Sequence, residues 1–194
     1  MNAGKSTALL QAAHNYESLG WNVILLVPAI DNRYGEAKIT SRLGISRDAT
    51  IVHTFGDVMN IVGNCSNSFV RNVILVDEVQ FMPVQVIRAL RYAVTKFKMP
   101  VIAYGLKNNF RGELFNETIA MLLAVADKLE ETKQICWCGS KATQILKYDK
   151  NLNAVKSGDT VDLGAEDKYM SVCYEHWHNH TESTDYLKKE THDD

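Results

Sequence analysis

Met1-Asn2-Ala3-Gly4-Lys5-Ser6-Thr7 is the stretch whose reading decides the fold. Gly4-Lys5-Ser6 is the closing half of a P-loop, G-x-x-x-x-G-K-[ST]. In that motif backbone amides at a helix N-terminus cradle phosphates, the lysine reaches the outer phosphates and the hydroxyl ligates Mg²⁺. Asn2, Ala3, Gly4, Lys5 and Ser6 are then nucleotide-binding residues. A complete motif follows a buried strand, whereas the given chain opens at the third residue of the motif. The reading therefore carries the expectation that the strand and the start of the loop are missing, at a cost in stability and activity. Alone, Gly-Lys-Ser also suits an ordinary helix start, so the rest of the chain has to decide.

Leu9, Leu10, Ala13 and Tyr16 continue at helical spacing, and Gly20 is a natural stop. Val23 to Val27 is a continuous apolar run, the pattern of a strand covered on both faces in a parallel sheet. Asp31-Asn32-Arg33-Tyr34-Gly35 follows at its carboxyl end, where open α/β sheets place ligand contacts. Arg33 is a candidate phosphate clamp, although Asp, Asn and Gly are also ordinary turn residues.

The segment 38–47 reads as a basic loop, 51–53 as a short strand and 57–62 as a short helix. Val73 to Val76 is a second buried strand, and it delivers Asp77-Glu78-Val79-Gln80-Phe81. An apolar strand ending in acid is the second mark of a P-loop protein: the first carboxylate contacts Mg²⁺, and the next is free for another task. Pro83 opens a helix with Val84, Ile87, Leu90 and Val94 on one face. Val101 to Tyr104 is a third strand, ending at Gly105-Leu106; 108–112 reads as loop and 113–126 as a helix. Strands alternating with helices predict an α/β fold, a parallel P-loop (RecA-like) sheet out to about residue 130.

The chain has 194 residues, 46% hydrophobic and 23% charged, with a formal net charge of −2. No basic field suggests a nucleic-acid partner, and no apolar run reaches the roughly 20 residues that span a bilayer. A cytoplasmic protein is expected. Three of the four cysteines lie late, which in a reducing compartment suggests metal. Cys136-Trp137-Cys138-Gly139 and Cys173-Tyr174-Glu175-His176 supply three thiolates and an imidazole, enough for a closed, structural Zn²⁺ site. The first pair is C-x-C rather than C-x-x-C. His178 and His180 are rival ligands, but only His176 holds the C-x-x-H spacing, and Cys65 is left out. With β-like runs at 143–148 and 160–163, residues 131–178 read as a small zinc-ribbon-like β domain after a core of 1–130, and 179–194 as a disordered tail.

These motifs, in this order, resemble the type II thymidine kinases, a family with a P-loop core and a zinc-bearing lasso domain. They are Gly-Lys-Ser, Asp31-Asn32-Arg33-Tyr34, Asp77-Glu78-Val79-Gln80-Phe81, Tyr104-Gly105-Leu106, Phe110-Arg111-Gly112-Glu113-Leu114-Phe115 and the Cys/His module. The resemblance runs from Met1 to about His176. It implies ATP-dependent phosphorylation of the thymidine 5′-hydroxyl in nucleotide salvage for DNA synthesis, with Mg²⁺ and structural Zn²⁺, in a homotetramer. Asp31, Asn32, Arg33, Asp77, Val79 and Gln80 then belong to the nucleotide site, and Glu78 matches the general base. Phe81, Leu106, Phe110 and Phe115 match the thymine pocket. Thr160, Val161, Asp162, Leu163, Gly164 and Tyr169 match the lasso segment closing over the nucleoside. Ala165 stands where the family often has a second glycine. Two other readings of the residues are a RecA-like ATPase acting on DNA and a catalytically impaired remnant.

Overall fold

The computed structural model describes residues 4–29, 37–41, 43–66, 69–155, 157–158 and 169–182. They fall into two compact units. One comprises Gly4–Leu106 and Asn116–Glu130; the other takes in Lys107–Phe115 and the described residues from Glu131 onward.

The first unit is a parallel sheet with helices packed on it. Helix α1 (Lys5–Ser18) is followed by β1 (Asn22–Pro28), the short β2 (Lys38–Thr40), β3 (Ser46–Asp48) and β4 (Thr50–Val52), and α2 (Phe55–Ser66). Then come β5 (Asn72–Val76), a 3₁₀ turn (Val79–Phe81), α3 (Val84–Phe97), β6 (Val101–Ala103) and α4 (Glu117–Val125). The sheet order is β4-β1-β5-β6, with every pairing parallel. Val23 lies opposite Val73 and Leu25 opposite Leu75, so the two apolar runs align side by side.

Burial explains why those runs are unbroken. Leu26, Ile74, Leu75 and Val76 have no exposed surface because each face of the sheet is covered. On one face Leu9, Leu10 and Ala13 of α1 pack with Leu25, Val27, Val73 and Leu75. Helix α3 contributes Val86, Ile87, Leu90 and Ala93 to the buried set. Each fully buried Leu, Ile or Val contributes about 1.5–3 kcal/mol, so this core dominates the unit's stability.

Two segments differ from their sequence reading. Residues 38–40 and 46–48 pair as antiparallel strands, β2 and β3, where the sequence reads as a basic loop. The strands are three residues each, and buried Ile39 is their anchor in the core; Arg47 pairs bidentately with Glu17 of α1. Helix α4 begins at Glu117, not 113. Asn116 caps it, accepting from the Ile119 amide at 3.1 Å. The preceding residues are held out of the helix by Asn109, whose side-chain oxygen accepts from the Arg111 and Glu113 amides. Leu114 is consequently exposed, not part of an apolar stripe.

The second unit pairs β7 (Gln144–Lys147) with β8 (Tyr169–Val172) in antiparallel register and adds α5 (Tyr174–Glu182). The segment 107–115 is a closed loop, with Asn108 bridged to Leu114 and the Phe115 amide bonded to the Lys107 carbonyl at 2.9 Å. The Trp177 indole donates to the Phe110 carbonyl at 2.9 Å, tying that loop to α5. Helix α5 takes in 179–182, the start of the stretch read as a tail. The run at 160–163, and 183–194, lie outside the described residues.

Candidate active site and metal centre

Gly4 precedes α1 in a left-handed conformation, φ 65°, which a residue with a side chain enters only with strain. Among the described residues, the helix carries no side-chain cap and no acid in its first turn. Its first amides and the positive end of its dipole are therefore available to an anion. Lys5 projects from this turn with its side chain 10% exposed. The Ser6 hydroxyl donates to Asp77 Oδ2 at 2.8 Å, joining the helix start to the end of β5.

Asp77 and Glu78 are consecutive, and on a continuing strand they would point to opposite faces. Glu78 breaks that alternation with φ 46° and ψ 42°, a left-handed conformation rare for a residue with a side chain. Strain of this kind, of order 1–3 kcal/mol, persists only where the surrounding structure over-determines it. The turn leaves Asp77 bonded to Ser6, and Glu78 Oε1 lies 3.8 Å from Lys5 Nζ. Gln80, fully buried, donates its side-chain amide to Glu78 Oε2. Val79 is buried and Phe81 partly buried.

Burial, reinforced by the neighbouring Glu78 charge, raises the Asp77 pKa; the Ser6 hydroxyl, the Glu78 amide and Lys5 oppose it. The native state thus binds the Asp77 proton more tightly than the unfolded chain. Its contribution to stability is fully present below the ordinary carboxylate pKa and lost as pH rises through the raised value. Asp77→Asn should therefore melt at or above the wild-type temperature at neutral pH, with the difference shrinking in acid. Thermal melts across pH check this; an Asp77→Asn protein that is less stable at neutral pH than in acid, relative to wild type, contradicts it.

Asn2, Ala3, Asp31, Asn32, Arg33, Thr160, Val161, Asp162, Leu163 and Gly164 lie outside the described residues. Leu106 is half-buried in the first unit. In the second unit, Phe110 and Phe115 are buried, and Lys147 Nζ stands 5.2 Å from the Phe110 ring and 5.5 Å from the Tyr169 ring. Such cation–π contacts are worth about 0.5–2 kcal/mol. The Tyr169 hydroxyl is buried without a hydrogen-bond partner among the described residues. Neither Lys147 nor Asn116 stands out in the sequence, where Lys147 falls in the β-like run at 143–148 and Asn116 inside the helix read over 113–126.

The Cys136, Cys138, Cys173 and His176 ligand atoms all lie within 4.8 Å of one another. Cys136 Sγ is 3.2 Å and Cys173 Sγ 3.3 Å from His176 Nδ1, and Cys138 Sγ is 3.9 Å from Cys173 Sγ. Around a tetrahedral Zn²⁺ with ordinary bond lengths, S···S would be about 3.8 Å and S···N about 3.5 Å, so the donor set fits that ion. A tight turn compensates for the C-x-C spacing. The Gly139 amide bonds to the Cys136 carbonyl, the Cys136 amide to the Ser140 carbonyl, and Gly139 sits at φ 83°.

Hydrogen bonds from Ser140 hold the Cys138 thiol low, at about 6, favouring the thiolate a metal requires, whereas burial raises Cys136. Trp137 packs on the His176 ring at 4.6 Å. His178 stacks on Tyr174 instead, and Cys65 belongs to α2, near Asn22.

A Gly-Lys-Ser helix start whose serine bonds an acid at the end of a parallel strand defines a P-loop nucleotide-binding protein. The comparisons with known proteins narrow this class. The thymidine kinase family model matches residues 1–177. The thymidine kinase of Vibrio cholerae is 43% identical over 177 residues, covering 91% of this chain and 92% of the relative. Those of Pasteurella multocida and Shewanella oneidensis are 42% and 40% identical at the same coverage. The chain belongs to the thymidine kinase family.

Proposed function

We propose that this chain transfers the γ-phosphoryl group of ATP to the 5′-hydroxyl of thymidine. The observation that carries the reading is the convergence of Lys5, Ser6, Asp77 and Glu78 at the start of α1, in a chain belonging to the thymidine kinase family. Phosphoryl transfer asks the protein for positioning and charge neutralisation more than for covalent chemistry. The α1 amides and Lys5 bind the phosphates, with Arg33 as a further clamp. A Mg²⁺ ion supplied with the nucleotide neutralises developing charge, and Ser6 and Asp77 are the residues that would hold it. Glu78 accepts the hydroxyl proton.

By resemblance, Phe81, Leu106, Phe110, Phe115 and Tyr169 contact the nucleoside, and 160–164 closes over it with backbone groups. The Tyr169 hydroxyl, which has no hydrogen-bond partner among the described residues, supports a polar ligand there, since a buried orphan costs about 1–3 kcal/mol. Zinc at Cys136, Cys138, Cys173 and His176 is structural, because four protein ligands leave no open position. The same reading makes 1–130 the kinase core and 131–178 the lasso domain, in a cytoplasmic homotetramer. Among the described residues, no helix is long and apolar enough to cross a membrane.

A nucleoside panel tests the reading. The 5-methyl of thymine is worth only about 1–3 kcal/mol in an apolar pocket, so deoxyuridine should be a weaker but detectable substrate. Deoxycytidine presents an amino donor where a carbonyl acceptor is expected and leaves buried groups unpaired, so it should be essentially excluded, as should purine nucleosides. Comparable kcat/KM for thymidine and deoxycytidine would contradict the proposal.

A further inference from the structure

Gln80 is the most enclosed polar side chain near Glu78: it has no exposed surface, and both ends of its amide are committed within the protein. The Nε2 group donates to Glu78 Oε2, and Oε1 accepts from the Leu106 amide at 3.0 Å. The Gln80 carbonyl accepts from Asn116 Nδ2 at 2.7 Å, and Asn116 also caps α4. The backbone around it is fixed as firmly: the Val79 amide bonds to the Tyr104 carbonyl and the Tyr104 amide to the Val76 carbonyl. A methyl group on Gly105 would lie 2.7 Å from both Gln80 Oε1 and Val79 Cγ1, so the glycine of Tyr104-Gly105-Leu106 is what lets this amide seat.

The short segment Asp77-Glu78-Val79-Gln80 therefore divides its work. Asp77 and Glu78 face the start of α1, whereas Gln80 turns inward. We infer that Gln80 is a positioning residue: its buried amide holds the Glu78 carboxylate in place for proton transfer, locks the Leu106 backbone, and makes no contact with the nucleotide. The physical basis is that a carboxylate on a residue with a left-handed backbone has few rotamers open to it. An amide that cannot itself move selects one of them, and Glu78 receives such a bond on one oxygen while the other faces Lys5. Misplacing a reacting group by about 1 Å can cost on the order of 10²-fold. The inference rests on the reading of Glu78 as the base.

The test is a kinetic cycle of Gln80→Met, Glu78→Gln and the double variant in the full chain, with ATP and thymidine varied separately. Gln80→Met keeps the side-chain volume and removes both hydrogen-bonding groups. The expected result is a kcat lower by about 10-fold or more with KM for ATP nearly unchanged. In the Glu78→Gln background, the same substitution should cost no more than about twofold, because the carboxylate it serves is already gone. A raised KM for ATP with unchanged kcat would overturn the inference in favour of nucleotide contact. Equal losses in both backgrounds would overturn it in favour of a role through Leu106 alone. If Glu78→Gln keeps more than half of the wild-type kcat, the base reading fails and the inference with it.

Should Gln80→Met not fold, the side-chain amide resonances of Gln80 in the otherwise unaltered chain serve instead. They should shift on Glu78→Gln and stay in place on adding ADP. A shift with ADP and none with Glu78→Gln would overturn the inference.

Discussion

Glu78→Gln is expected to lower kcat by about 10²–10⁴-fold, the usual contribution of a general base, with little change in the affinity for thymidine. The substitution keeps the side-chain shape and leaves an oxygen to accept from the Gln80 amide. What it removes is the proposed proton acceptor and the charge near Lys5. The strained backbone of Glu78 is kept as well, so the fold around it should not relax. A capping or purely structural glutamate would tolerate this change. Steady-state kinetics check the point, and a variant keeping more than half of the wild-type kcat would remove Glu78 from the chemistry.

Loss of the metal should have the largest effect on structure. Among the described residues, the buried cluster around the metal site is Ala142, Leu146 and Val172 with Cys136 and Cys173, and two of these five are themselves proposed ligands. So few buried aliphatic groups cannot offset the entropy of ordering the chain around them. Structural Zn²⁺ sites supply apparent binding free energies of about 10–16 kcal/mol at neutral pH, comparable to or larger than the total stability of most domains. One equivalent of zinc per chain is expected. A strong chelator, or Cys136→Ser, should unfold the β7–β8 hairpin and α5. Trp137 packs on His176 and Trp177 is bonded to the Phe110 carbonyl, so tryptophan emission should shift to the red. Proteolysis should open within 131–182. Protein prepared without chelators that contains no zinc would refute the assignment, and loss of metal in Cys65→Ser would show that the ligand set is wrong.

Much of this was legible because the relevant physics is local. The runs at 23–27 and 73–76 announce strands buried on both faces, and β1 and β5 lie there as neighbours. Spacing alone singled out Cys136, Cys138, Cys173 and His176, whose donor atoms do meet. What escaped depends on contacts distant in sequence. Ile39 anchors a hairpin only because α1 and β1 supply the surface it buries against. The start of α4 is displaced by two asparagine side chains that hold neighbouring amides, whereas helical spacing alone extends the helix back to 113. Lys147 joins two aromatic rings from segments far apart in the chain, and nothing in Gln144-Ile145-Leu146-Lys147 foretells it. Gln80 was legible as part of an acidic motif, but its inward orientation depends on Gly105 and Leu106.

The central claim is that the site formed by Lys5, Ser6, Asp77 and Glu78 delivers phosphoryl groups to a nucleoside rather than to water. Its most direct test follows ADP and nucleoside monophosphate together in one reaction containing the full chain, ATP, Mg²⁺ and thymidine. The account predicts thymidine 5′-monophosphate appearing mole for mole with ADP, with negligible ADP when thymidine is omitted and no stimulation by DNA. ADP released without the monophosphate, or release that depends on DNA rather than thymidine, would contradict it.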